Sequence, residues 1–187
     1  MARLANDPPA TQFEPHVRAC TPPSSLAVNA ATTLEQGCAL LAPLLEAHGF
    51  TYQAGAVTSD ERQEVACGTF ARPDGRQLEL AVVRVLVTEG GVEVENARSA
   101  LRDVVYRAGE LTLPHDAYMA VVLGEEGSNQ YPSFGGHPLD GFRHLCHDME
   151  CYATVFLRGP ESHFKVIAER AALWSRGMWS PRALFRT

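Results

Sequence analysis

The chain has 187 residues with 16 Lys+Arg against 22 Asp+Glu, a formal net charge of −6, 45% hydrophobic residues and 20% charged ones. That balance belongs to a globular domain long enough to bury one core without a disulfide or metal to hold it. The acidic excess disfavours a phosphate-neutralising surface, and no window approaches the roughly 20 consecutive apolar residues of a bilayer-spanning helix, so neither nucleic acid nor a membrane is an expected partner. The start, Met1-Ala-Arg-Leu-Ala-Asn-Asp-Pro-Pro9, lacks the pattern of a secretion signal or transit peptide. Cys20, Cys38, Cys67, Cys146 and Cys151 form an odd, irregularly spaced set with no Cys-x-x-Cys pair. Such thiols suit a reducing compartment, and a cytoplasmic location is expected.

Residues 1 to about 30 hold Pro8, Pro9, Pro15, Pro22 and Pro23 with few large apolar side chains, which predicts a flexible tail ahead of one domain over 31–187. Thr32 or Thr33 can cap a helix in which Leu34, Cys38, Leu41, Leu45 and His48 recur at helical spacing, closed by Gly49 in a left-handed conformation. Pro43 should kink that helix or restart it.

From Phe50 the period becomes two. Phe50, Tyr52 and Ala54 form one strand, and Val65, Cys67, Thr69 and Ala71 a second. Pro73-Asp74-Gly75 supplies a hairpin turn into a third strand through Leu78, Leu80 and Val85. Gly90-Gly91 suggests another turn before Val92 and Val94. Between there and Tyr106 two periods compete. Ala97, Ala100, Leu101, Val104 and Val105 fit a short helix, while Val104, Tyr106 and Ala108 fit a strand. A strand at the end, preceded by an irregular or helical insertion, is the expectation.

After Gly109 three helices are expected, each introduced by a proline: His115 to Leu123 after Pro114, Leu139 to Leu157 after Pro138, and Glu161 to Arg176 after Pro160. The segment Gly124 to His137 is loop, with Tyr131 and Phe134 as anchors. At the C-terminus, Trp174, Met178, Trp179 and Phe185 need a cover, which fold-back onto the core or a contact with another chain would supply.

The densest chemical cluster is His144-Leu-Cys-His-Asp-Met-Glu-Cys151. At about 100° per residue, Phe142, Leu145, Met149, Tyr152, Ala153 and Phe156 fall on one helix face and His144, His147, Asp148 and Cys151 on the other. His144 stands four before Asp148, and His147 four before Cys151, so imidazole, carboxylate and thiolate can converge on a cation. A surface helix also carries such residues simply because they are solvated. No His-Glu-x-x-His is present, and a third ligand would have to come from elsewhere, such as His115 or His137. Nucleophile and phosphate-binding motifs are absent: Ser133-Phe-Gly-Gly-His137 lacks the context of a nucleophile elbow, and Gly90-Gly91 is turn chemistry.

Arg98-x-x-Leu-x-x-Val-Val-Tyr-Arg-x-Gly-Glu-Leu-x-Leu-x-His-Asp-x-Tyr-Met119, Tyr131-Pro-Ser-Phe134 and Pro138-Leu-Asp-x-Phe-x-x-Leu-x-x-Asp148, with His48-Gly49-Phe50 ending the first helix, are the residues that carry a family likeness. Over roughly residues 34 to 174 the chain resembles a group of small uncharacterised bacterial proteins with no established activity. The resemblance transfers no catalytic residue. The chain departs from the group around Val85 to Ala100, where extra residues interrupt the sheet.

The expected fold is α+β: a three- or four-stranded antiparallel sheet, covered on one face by an N-terminal helix and three C-terminal helices, with the other face more solvated. The expected function is that of a non-catalytic cytoplasmic protein that binds a protein partner or itself, as an immunity or accessory protein does, with no cofactor. The alternative is a metal-dependent hydrolase built on His144, His147, Asp148 and Cys151.

Overall fold

A computed structural model describes residues 29–85, 88–89, 92–93, 98–124 and 137–175. The proline-rich segment to residue 28, expected as a flexible tail, the segment 125–136, expected as a loop, and the aromatic stretch 176–187 lie outside these residues.

The first helix, α1 (Ala30–Glu46), starts earlier than Thr32 because Asn29 caps it: its Oδ1 accepts from the Thr32 amide at 2.7 Å. Pro43 neither breaks nor restarts it. Pro43 and Ala39, whose carbonyl loses its helical donor, are both exposed, so water can take the orphaned acceptor. Gly49 follows at φ +80°, the left-handed conformation expected there.

Strands β1 (Thr51–Ser59), β2 (Gln63–Ala71) and β3 (Arg76–Val85) form an antiparallel meander. The turn between β2 and β3 uses Gly75 at φ +88°, as its sequence predicts. Two-residue strands β4 (Thr88–Glu89) and β5 (Val92–Glu93) pair as a separate ribbon. The chain then enters β6 (Arg98–Ala108), which pairs along β3, and turns at Gly109 into β7 (Leu111–Pro114). The main sheet therefore has five strands in the order β1-β2-β3-β6-β7, not three or four.

The helical spacing of Leu101 and Val104 has a sheet explanation. Ala81 pairs with Asp103 but Val82 pairs with Leu101, leaving Arg102 as an extra, bulged residue. A bulge shifts the phase of the alternation by one, so two residues three apart both reach the core, with exposed Arg102 and Asp103 between them.

At the C-terminal side, α2 (His115–Leu123) begins after Pro114 as expected. The helix expected from Leu139 to Leu157 is two, α3 (Asp140–Tyr152) and α4 (Thr154–Arg158), separated at Ala153, whose φ/ψ of −85°/19° leaves the helical region. The last helix is α5 (Glu161–Ser175). The short α4 ends on two arginines from the β2–β3 hairpin. Arg72 donates to the Leu157 carbonyl at 2.6 Å, and the buried Arg76 guanidinium donates to the carbonyls of Phe156 and Gly159. These are the acceptors that a helix C-terminus leaves unmatched. Asp74 holds Arg72 in place, its carboxylate accepting at 2.8 and 2.5 Å.

The core lies between the sheet and the helices. Phe70, Leu78, Leu80, Val82, Leu101, Val104 and Tyr106 face Leu34, Cys38, Leu41 and Leu45 of α1 together with Phe142, Leu145, Met149 and Phe156. Tyr106, Phe156, Tyr118 and Phe164 form an aromatic chain with centroids 4.6 to 6.5 Å apart, each such pair adding about 0.5–1.5 kcal/mol beyond its burial. On the opposite sheet face Cys67, Asp103 and Thr112 are exposed, while Ala81 and Val83 in its middle are buried.

Candidate functional site

The polar face of α3 is divided by its neighbours. His144, His147 and Cys151 are exposed, and the Cys151 Sγ lies 3.8 Å from both ring nitrogens of His147. Asp148, at the edge of that face, turns the other way: its Oδ2 is 3.3 Å from the Nε2 of His115, the first residue of α2. Of the two proposed extra ligands, His115 therefore meets Asp148 of the four cluster residues. His137 instead serves the start of α3, where its amide donates to the Asp140 carboxylate and its Nδ1 accepts from the Leu139 amide. The His137 amide and, beyond it, the Arg143 guanidinium keep the Asp140 carboxyl below the usual carboxylate range. Among the described residues, no group of three or more His, Cys, Asp or Glu side chains is placed to hold a metal ion.

His115 belongs to a buried chain of polar groups that links three elements. Its Nδ1 is 2.6 Å from the Tyr106 hydroxyl of β6 and its Nε2 faces Asp148 of α3. With Nε2 towards the carboxylate and Nδ1 towards the phenol, the ring can donate to Asp148 while it bonds the Tyr106 hydroxyl. Two side chains from distant elements meet this imidazole. A sequence signal for half of this exists. Tyr106 pairs with Leu113 across the β6–β7 hairpin, so two residues further on His115 returns beside Tyr106. Nothing local in the sequence brings α3 to the same place.

The chain Tyr106–His115–Asp148 can orient groups and hold a proton, but it does not present one. Tyr106 is 0% exposed and His115 2%, with only Asp148, at 20%, reaching the surface. A general base must come within hydrogen-bond reach of its substrate, and this imidazole is enclosed by its own fold. Its buried polar atoms tie β6, α2 and α3 into one arrangement.

The thiols differ by environment. Burial pushes Cys38 up to about 12, partly offset by a hydrogen bond from Tyr52. Burial, followed by the Glu150 carboxylate, also raises Cys146. Neither has the depressed pKa of a cysteine nucleophile.

A different feature stands out at the far side of the sheet. Its two edges are treated unequally. On one side β7 has four residues, ends at Pro114, and packs against α2 and α5. On the other, β1 runs for nine residues, Thr51-Tyr-Gln-Ala-Gly-Ala-Val-Thr-Ser59, without a charge or a proline, and all but Tyr52 are exposed. Among the described residues no strand lies along its outer edge. Edge strands are ordinarily blunted by charge, proline, shortness or a bulge. Of these β1 has only the bulge, between Ala54 and Val57, where two residues face Cys67 of β2. Gly55 is needed there, since a Cβ would lie 2.8 Å from the Cys67 carbonyl oxygen. The periodicity that found β1 ended at Ala54, because the bulge breaks the alternation.

Comparison with protein-family models, with curated proteins and with solved structures found no match to this chain. Among the described residues no helix is long and apolar enough to cross a membrane.

Proposed function

We propose that this chain is a non-catalytic protein-binding protein, of the immunity or accessory kind, and that its partner adds an extended strand along β1. The reading is carried by one observation: β1 is a long, uncharged, exposed edge, and among the described residues no strand pairs with its outward N–H and C=O groups. In strand addition those main-chain groups give affinity, and alternate side chains give specificity. The enclosure of His115 supports binding over catalysis, because the best-formed polar cluster has no access for a substrate. The acidic net charge disfavours nucleic acid as the partner.

The test is affinity capture from the cells that make the protein, with the native chain and with Ala54→Lys/Thr58→Lys, both exposed positions on β1. A stoichiometric protein recovered with the native chain and lost with the variant supports the reading. Recovery of no stoichiometric protein, neither a different chain nor a second, untagged copy of this one, or equal recovery with both, overturns it. Near-stoichiometric zinc or iron in the untagged protein, lost in His144→Ala/His147→Ala, would also overturn it in favour of the metal-dependent hydrolase.

A further inference from the structure

We propose that the strand added to β1 is β1 of a second copy of this chain, paired antiparallel about a two-fold axis between Gly55 and Ala56. This inference rests on the reading of β1 as a pairing edge and names its occupant.

The register follows from the bulge. Ala54 pairs with Gly68 and Val57 with Ala66, so both point to the helix-covered face, whereas Gln53 pairs with Thr69 and Thr58 with Val65 on the opposite face. With the axis between Gly55 and Ala56, Ala54 stands against Val57 of the second copy, Gln53 against Thr58, and Tyr52 against Ser59. Every pair then shares a face, with Ala54 against Val57 and Tyr52 against Ser59 on the helix-covered side and amide against hydroxyl on the other. Moving the axis to Gly55 itself would set Gln53 against Val57, which point to opposite faces. Strand registers that mismatch faces in this way are strongly disfavoured.

The same bulge selects the partner. A bulged strand carries extra local twist, which a straight strand does not share and which normally protects an edge. A two-fold axis preserves the hand of that twist, so a second copy meets it with an equal one at the same point. Identical strands also place like charges near one another wherever they carry any, and β1 carries none. At its ends acidic and basic groups of the two copies meet, with Arg62 in the same turn as Asp60 and Glu61 and with Asp74 paired to Arg72. The turn with Asp60 and Glu61 of one copy falls beside Thr51 and Phe50 of the other, next to Gly49, which Arg72 overlies. Arg72 donates to the His48 carbonyl and Arg158 approaches the His48 ring at 3.4 Å. Partial burial and then the charges of Arg158 and Arg72 hold the His48 imidazole below its usual value. The chain's own N-terminal segment is a poorer occupant, because prolines at 8, 9, 15, 22 and 23 leave no uninterrupted run as long as the nine residues of β1 before α1 begins.

The test is sedimentation velocity of the full chain over a wide concentration range, for the native protein and two variants whose thermal unfolding confirms that they fold. Gln53→Lys/Thr58→Lys sets lysine against lysine at two symmetry-related places and is expected to weaken the dimer by about tenfold or more. Gln53→Glu/Thr58→Lys sets glutamate against lysine at the same places and is expected to restore it. A native chain that stays monomeric throughout overturns the inference, as does a dimer indifferent to both variants or weakened equally by both. The failure is separable from that of the binding reading: a monomer that still captures a different protein through β1 loses the second copy but keeps the edge as a binding site.

Discussion

The hydroxyl of Tyr106 and the Nδ1 of His115 lie 2.6 Å apart inside the core, joining the end of the sheet to the first residue of α2. Removing that hydroxyl in Tyr106→Phe keeps the ring and its aromatic contacts while taking a hydrogen bond from a buried imidazole. The expected cost is about 1–3 kcal/mol, read as a lower urea midpoint at unchanged slope. Asp148→Asn, which keeps an acceptor oxygen on a side chain that reaches solvent, is expected to cost less than Tyr106→Phe. The reverse order would mean that Asp148, not the phenol, holds His115.

Arg76 supports α4 from below. Its buried guanidinium serves two carbonyls at the helix end, so Arg76→Met should cost about 3 kcal/mol by leaving those acceptors unmatched. Arg76→Lys retains the charge but cannot reach both carbonyls in one plane, and is expected to recover less than half of the loss. Chemical unfolding of the three proteins decides between a charge effect and a geometric one.

Gly37 marks the closest approach of α1 to α3. A Cβ there would collide with the Phe142 ring, so Gly37→Ala should destabilise by about 1–3 kcal/mol despite the better helix propensity of alanine. Phe142→Leu makes room, and in the double variant the two effects are expected to be non-additive. A double-mutant cycle showing simple additivity would place the ring elsewhere.

Stability should decline at alkaline pH. Burial raises Cys38 from 9.0 to about 12, and Tyr52 and Tyr118 from 10.0 to about 12. Between those values the unfolded chain has lost protons that the folded chain retains, so the stability these groups lend is complete below pH 9 and is lost as pH rises towards 12. Urea midpoints across that range should fall, and Cys38→Ser/Tyr118→Phe should flatten the slope. An unchanged slope would show that these groups are solvated in the folded protein.

Much of the architecture was readable from residue order. Gly49 and Gly75 take the positive φ that their positions demand, Pro114 and Pro160 introduce helices, and the apolar face of α3 is the one its spacing draws. These features depend on contacts within a turn or two of chain, which composition and spacing encode directly. The early helix start at Ala30 was missed although Asn29 is an ordinary cap, since Thr32 and Thr33 compete as equally good ones.

What residue order could not decide is where one element meets another. The bulge at Arg102 exists only in the pairing of β6 with β3, and without that pairing Leu101 and Val104 carry a helical signal. The four residues of β7 are too few to declare a period and become a strand by lying against β6. Asp148 belongs to the polar face of α3 by spacing, yet packing of α2 against the sheet brings His115 to it and separates it from His147 and Cys151. The identity of each side chain and the period of each segment come from the sequence alone. The partners of Asp148 and the place of β1 at the edge of the described sheet come from long-range closure of the sheet, whose free energy is shared over the whole core and is written in no single segment.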